Sequence, residues 1–212
     1  MLSTEQPRDR TVPFGILAYG AASNPNAPKL GVSPYIDPAL PSLGFGGNGS
    51  SVNWMYNWYS TTTNKQSFTE YVPMLWGIKP ELTGAWDGHA SSWIAAGSEH
   101  LLAFNEPENA GQSNINTTAA ADAYRKYMQP FAGKAQLGAP AVSNDGRDWM
   151  TQFLAQCSDC TIDFVPIHWY NPCSLLDDFK ASSPTCAALP AIALCGSLSS
   201  NHREATTRRQ NS

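Results

Sequence analysis

The segment Leu101-Leu-Ala-Phe-Asn-Glu-Pro-Glu-Asn109 comes nearest to declaring a reaction. An apolar run that reads as a strand passes directly into Asn105, Glu106 and Pro107, so a carboxylate stands at the strand's C-terminal mouth. Pro107 has no ladder donor and disfavours helical backbone in the residue before it, which predicts an extended Glu106 at the rim. Such a carboxylate suits general acid/base work. Cleavage of a glycosidic bond needs one carboxylic acid to protonate the leaving oxygen. It also needs a second carboxylate as nucleophile or base, about 5 to 5.5 Å away for retention or about 6.5 to 9.5 Å for inversion. Glu106 is the candidate acid/base, whereas Glu108 reads as a solvated loop charge.

Sugar recognition further requires aromatic faces for the apolar sides of pyranose rings, with amides and hydroxyls for the ring hydroxyls. The ends of other apolar runs supply both: Asn57 with Trp58, then Trp76, Ser143 with Asn144, and His168-Trp-Tyr-Asn171. The candidate substrate-binding residues are therefore Asn105, Trp58, Trp76, Asn144, His168, Trp169 and Tyr170. Trp54, Trp86, Trp93 and Trp149 read as core or helix-packing residues.

These side chains must be held by a common scaffold. Short apolar runs at 14–19, 52–58, 71–76, 100–104, 135–142 and 162–169 predict six strands. Thr117 and Thr118 are N-cap candidates for a helix over 119–128. A second helix over 148–156 is marked by Trp149 with Phe153 and Met150 with Leu154 at i,i+4. Strands alternating with helices imply βαβ units and a parallel sheet. No Gly-rich phosphate loop follows the early strands, and chemistry-bearing residues gather at the ends of several of them. Both features favour an α/β fold of the (β/α)8 TIM-barrel type over an open sheet. Residues 21–51, rich in Pro, Gly, Ser and Asn, read as a long surface connection.

Bulk properties narrow the partners. With 212 residues, 42% hydrophobic and 14% charged, the chain can bury one sizeable core. A net charge of -4, with no Lys/Arg cluster before the last few residues, argues against nucleic acid. No run approaches the ~20 apolar residues that cross a bilayer, and residues 1–10 show no signal-peptide core. No membrane partner is expected, and no signal peptide is seen. Five cysteines exclude a dense disulfide framework; Cys157 and Cys160 read as a structural bridge or two idle thiols, and their spacing together with four scattered histidines predicts no metal. No cofactor is expected. Sequons begin at Asn48 and Asn116, and they matter only in a secreted protein.

Five ordered motifs carry a family resemblance: Val52-Asn-Trp-Met-Tyr-Asn-Trp58, Tyr71-Val-Pro-Met-Leu-Trp-Gly77, 101–109 with Gln112-Ser-Asn-Ile115, Leu137-Gly-Ala-Pro-Ala-Val-Ser143, and Ile162-Asp-Phe-Val-Pro-Ile-His-Trp-Tyr170. Over residues 52–170 the chain resembles the fungal alkali-sensitive linkage protein type, glycoside hydrolase family 128. The resemblance implies a retaining (β/α)8 hydrolase with its acid/base after the fourth strand, matching Glu106, and its nucleophile at the end of the seventh. It also implies β-1,3-glucan as partner, action as a monomer, and an extracellular or cell-wall setting.

The chain departs from that pattern toward its end. The family's seventh strand carries a Trp-x-Thr-Glu-Phe type of motif, and nothing in 175–212 resembles it. Glu204 is the only glutamate there, so the nucleophile stays unassigned. No Trp, Tyr or Phe follows Phe179, and 181–212 is rich in Ser, Ala and Thr. The sequence therefore divides into a polar leader (1–12), a partial barrel of about six strands lacking strands seven and eight (13–180), and an unrelated, disordered tail (181–212). Such a barrel would expose an unpaired sheet edge and aggregate. The alternatives to a working hydrolase are a carbohydrate-binding pseudoenzyme and a truncated gene product.

Overall fold

A computed structural model describes residues 15–18, 30–32, 52–169 and 191–195. Its strands are β1 (Gly15–Ala18), β2 (Leu30–Val32), β3 (Val52–Met55), β4 (Glu70–Tyr71), β5 (His100–Leu101), β6 (Gln136–Leu137), β7 (Val165–Trp169) and β8 (Ala191–Cys195). The helices are α1 (Pro80–Thr83), α2 (Trp86–Ala95), α3 (Thr117–Tyr127) and α4 (Arg147–Gln156), with a short 3-10 turn at Gln129–Phe131.

Most of the regular strands are shorter than the apolar runs that predict them, and in two of them proline is a reason. Pro73 and Pro140 stand inside the third and fifth runs, where each removes a ladder donor. Pairing resumes beyond them as isolated parallel bridges, Met74 to Leu102 and Asn105 to Ala141. Gly138 to Phe164 and Val142 to Ile167 carry the ladder from β6 to β7. Gly138 is required there, because a Cβ would lie 2.8 Å from the Phe164 ring.

Three expectations are corrected. Leu30–Val32, within the stretch read as a loop, pairs in parallel with β3. The segment Ala191–Cys195, within the stretch read as a strandless tail, pairs in parallel with all five residues of β7 and antiparallel with β1. Ala-Ile-Ala-Leu-Cys is a short apolar run that the polar composition around it conceals, and β7 offers it an open row of backbone donors and acceptors. With these additions the hydrogen-bonded order runs β3-β4-β5-β6-β7-β8-β1-β2 and returns to β3. The unpaired edge expected after β7 is therefore absent among the described residues. The third correction is that β1 runs antiparallel to both neighbours, so the ring is not wholly parallel. The leader and residues 196–212 lie outside the described residues.

Side chains alternate across the ladder with the period of a strand. Leu101, Ala103, Leu137, Ala139, Val165 and Ile167 join the larger apolar cluster with residues of α2, α3 and α4. Val72, Met74, Leu102 and Phe164 join Tyr56 in a second cluster on the opposite face, and Trp54, Trp58 and Trp76 pack against it. Trp86 is buried and donates to Tyr127 O, and Trp149 stacks on Phe153 at 5.4 Å, as expected for helix-packing residues. The helix predicted over 119–128 is capped one residue earlier than expected: Asn116 Oδ1 accepts from Ala119 N at 2.9 Å. Cys157 and Cys160 form a disulfide in the turn that follows α4.

At the N-terminal end of the strands, Glu70 fastens β4 to β5. Its Oε1 accepts from Glu99 N and His100 N at 2.7 and 2.9 Å, and both its oxygens lie 3.1 Å from His100 Nδ1. Burial by itself lowers the His100 pKa, but the hydrogen bond and charge of Glu70, with Glu99 and Asp163 beyond, outweigh it and leave the pKa raised. A histidine whose folded pKa lies above its unfolded value, about 6.5, stabilises fully below that value and loses the contribution as pH rises through the folded pKa. Glu70→Gln is expected to lower the His100 titration midpoint in NMR, and Glu70→Ala to cost about 1–3 kcal/mol in urea unfolding. An unmoved His100 midpoint in Glu70→Gln would refute the coupling.

Candidate active site

The strand ladder delivers Glu106 to the mouth formed where β5, β6 and β7 end. Glu106 N donates to Ala141 O at 2.7 Å, and Asn105 N donates to Trp76 O at 3.0 Å. The acid/base candidate is thus locked between the ends of the β4 and β6 runs. Its backbone departs from expectation: φ is 41°, in the left-handed region and not extended. The chain must turn sharply after the strand, and the Ala141 bond with the loop contacts beyond it over-determines the strained turn. Asn109 N closes this turn onto Glu106 O at 3.0 Å.

The Glu106 side chain is buried, and a buried carboxylate requires partners. His168 Nδ1 lies 2.7 Å from Oε1, and Asn109 Nδ2 donates to Oε2 at 3.3 Å. Because Val165 and Ile167 face the helices, alternation turns His168 toward the opposite face, where it meets Glu106. These two contacts hold the carboxyl in one orientation at the strand mouth.

The remaining sequence candidates divide. Trp76 and Trp58 are half-buried on the aromatic cluster, with Trp58 4.8 Å from Tyr56 between ring centroids. Trp58 also adopts a left-handed backbone, φ 57°. Asn57 Oδ1 brackets that turn by accepting from Tyr59 N and Tyr71 Oη. Asn105 is buried beside Glu106. Asn144 is exposed in the loop after β6, one residue beyond Ser143. The backbone of Trp169 ends β7, whereas Tyr170 lies outside the described residues.

Glu108 corrects the reading of a solvated charge. Its Oε1 accepts from Ser143 N at 2.7 Å and its Oε2 is shielded from solvent, so it ties the acid/base loop to the loop after β6. Asn109 and Gln112 likewise touch Glu106 and Asn105, roles that only the folded turn reveals. The i,i+3 spacing of Glu106 and Asn109 is the one signal that could have suggested the first.

No nucleophile follows from the described contacts. Glu70 and Asp163 hold backbone amides of β5 and β6, Glu108 holds Ser143, and Asp122 and Asp159 pair with Arg125 at the surface. Among the described residues no group of three or more His, Cys, Asp or Glu is placed to hold a metal.

A ring of mainly parallel strands, flanked by helices, with a buried glutamate at the strand mouths beside an aromatic floor, has the architecture of a barrel-type glycosidase. Residues 38–183 match the glycosyl hydrolase catalytic core profile. Alkali-sensitive linkage protein 1 of Schizosaccharomyces pombe is 35% identical over 135 residues, covering 61% of this chain and 24% of that protein. The chain thus spans about a quarter of that relative's length. Among solved structures, a glycoside hydrolase family 128 curdlan-specific exo-β-1,3-glucanase of subgroup III from Blastomyces gilchristii is 42% identical. It superposes with a TM-score of 0.68 over 74% of this chain and 68% of its own. A subgroup I endo-β-1,3-glucanase from Amycolatopsis mediterranei is 27% identical, with a TM-score of 0.58 over 76% of this chain and 66% of its own. This chain belongs to the glycosyl hydrolase catalytic core family.

The fastening role of Glu108 has a direct test. Glu108→Ala strands Ser143 N and is expected to cost about 1–3 kcal/mol in urea unfolding, while Glu108→Gln keeps an acceptor and recovers most of it. A solvated loop charge would instead leave both variants within about 0.5 kcal/mol of the parent.

Proposed function

We propose that this chain is a β-1,3-glucan-directed glycoside hydrolase domain in which Glu106 exchanges a proton with the glycosidic oxygen. The observation that carries the reading is the buried Glu106 carboxylate at the strand mouth, 2.7 Å from His168 Nδ1. The glucan assignment draws on family 128 neighbours whose substrates are β-1,3-glucans. An extracellular or cell-wall setting fits that substrate, and no helix among the described residues is long and apolar enough to cross a membrane.

In this mechanism the Glu106 carboxyl donates its proton to the leaving oxygen as the bond from that oxygen to the anomeric carbon breaks. The resulting carboxylate then takes a proton from the water that attacks the anomeric carbon. His168 keeps the carboxyl oriented through both steps, and Trp58 and Trp76 supply apolar faces for sugar rings. Asn144, Trp169 and Tyr170 are further candidates for sugar contact on this reading, from their sequence positions at the ends of apolar runs. A retaining route also requires a second carboxylate, and none is assigned here.

A second reading is that the cleft binds glucan without turning it over. One pair of measurements separates the two. On the hydrolase reading the parent releases reducing ends from laminarin, and Glu106→Gln lowers the rate by about 10²-fold or more with binding within a few-fold. A parent that binds laminarin and releases nothing establishes the binding reading. A parent that does neither refutes both.

A further inference from the structure

Asn116-Thr-Thr118 is a sequon, the triplet whose asparagine accepts an N-linked glycan in a chain that passes through the secretory route. The glycan is attached through the amide nitrogen, so an acceptor asparagine must keep Nδ2 in solvent and uncommitted once the chain has folded. Asn57, Asn105 and Asn109 do not meet that condition, because their Nδ2 groups donate to Thr61 O, Gln112 Oε1 and Glu106 Oε2. Asn116 meets it. The residue is exposed, and its own contacts use oxygens: Oδ1 accepts from Ala119 N at 2.9 Å and the backbone carbonyl from Ala120 N at 2.9 Å. No hydrogen bond among the described residues engages its Nδ2.

The rest of the triplet is equally open. Thr118, whose hydroxyl completes the sequon, is exposed, and the contact that fastens this turn of α3 goes instead to its neighbour: Gln156 Nε2 donates to Thr117 Oγ1 at 2.8 Å. A second, independent observation points to the compartment. Cys157 and Cys160 form a disulfide, and disulfides form and persist in oxidising compartments, which include the one where sequons are read.

We propose that Asn116 is an N-glycosylation site whose amide serves twice, the oxygen capping α3 and the nitrogen carrying the glycan. The inference rests on the extracellular or cell-wall setting proposed above and not on hydrolysis. The glycan donor is a polyprenyl-pyrophosphate-linked oligosaccharide. Asn116 Nδ2 attacks its anomeric carbon, the nitrogen–carbon bond forms as the bond from that carbon to the pyrophosphate oxygen breaks, Nδ2 loses one proton, and the lipid pyrophosphate leaves. Attachment keeps the amide carbonyl and one N–H, so the oxygen that caps α3 is still an acceptor. Because Ile115 N donates to Pro107 O at 2.8 Å, the glycan is rooted at the end of the loop that Glu106 begins, on the face of the barrel where the strands end.

The site is read by directing the full chain into the secretory route of a yeast behind a cleavable leader and recovering it from medium and membranes together. Enzymatic deglycosylation in 18O water leaves the heavy isotope on the acceptor residue. Residue 116 of the parent is expected to carry the label, and the same peptide from Thr118→Ala to lack it. An unlabelled parent peptide overturns the site, as does a label that persists in Thr118→Ala. No substrate enters this measurement, so a parent inactive on laminarin counts against the hydrolase reading and leaves the site standing. The cap is read on parent protein trimmed to a single N-acetylglucosamine. Its unfolding midpoint is expected to match that of parent made while oligosaccharide-donor synthesis is inhibited, whereas Asn116→Ala, which loses both glycan and cap, melts about 2–4 °C lower. A trimmed parent that melts as low as Asn116→Ala overturns the double use of the amide.

Discussion

The contact between Glu106 and His168 is the constraint on which the arrangement turns. A carboxylate as buried as Glu106 cannot stand alone, and the group that meets it comes from a strand 62 residues further along the chain. That partner is in reach only if β5, β6 and β7 are adjacent and in correct register. Register is exacting here, because a slip of one residue in β7 would turn His168 toward the helices and could bring Ile167 toward Glu106 in its place. The Glu106 N to Ala141 O bond and the His168 N to Val142 O bond fix that register from the backbone side. The chemistry and the strand pairing are thus one structure seen from two directions.

The prolines have a complementary role. Pro73, Pro107 and Pro140 each interrupt a ladder near its C-terminal end, where an uninterrupted strand would keep its backbone groups paired to the last residue. The interruptions leave short bridges that hold neighbouring strands together while the chain bends outward. Trp76, Asn105 and Glu106 occupy such bends, and Trp58 and Glu106 take left-handed backbones at theirs. Strain gathers at the mouth, and the apolar clusters beneath it supply the rigidity that sustains it.

Much of this was legible before folding. The parallel order of the middle strands followed from the spacing of apolar runs, and the helix-packing tryptophans Trp86 and Trp149 behaved as their positions suggested. Glu106 stood out as the candidate acid/base because Asn-Glu-Pro after an apolar run has few structural uses. Glu108 misled, since a charged residue in a polar loop looks solvated until the loop after β6 is laid against it. β8 was hidden for a different reason: a five-residue apolar stretch inside a Ser- and Thr-rich region becomes a strand only when a partner edge, here β7, presents its donors and acceptors.

Five ordered motifs carried the family resemblance, and local periodicity with proline placement indicated the middle strands and the candidate acid/base, because these are local properties of the chain. Tertiary structure decided which groups meet Glu106, how its backbone turns, which carboxylates serve only to fasten loops, and what pairs with β7. Each of those depends on contacts between segments separated by tens of residues, and hydrogen-bond geometry across such distances has no signature in the linear order of side chains.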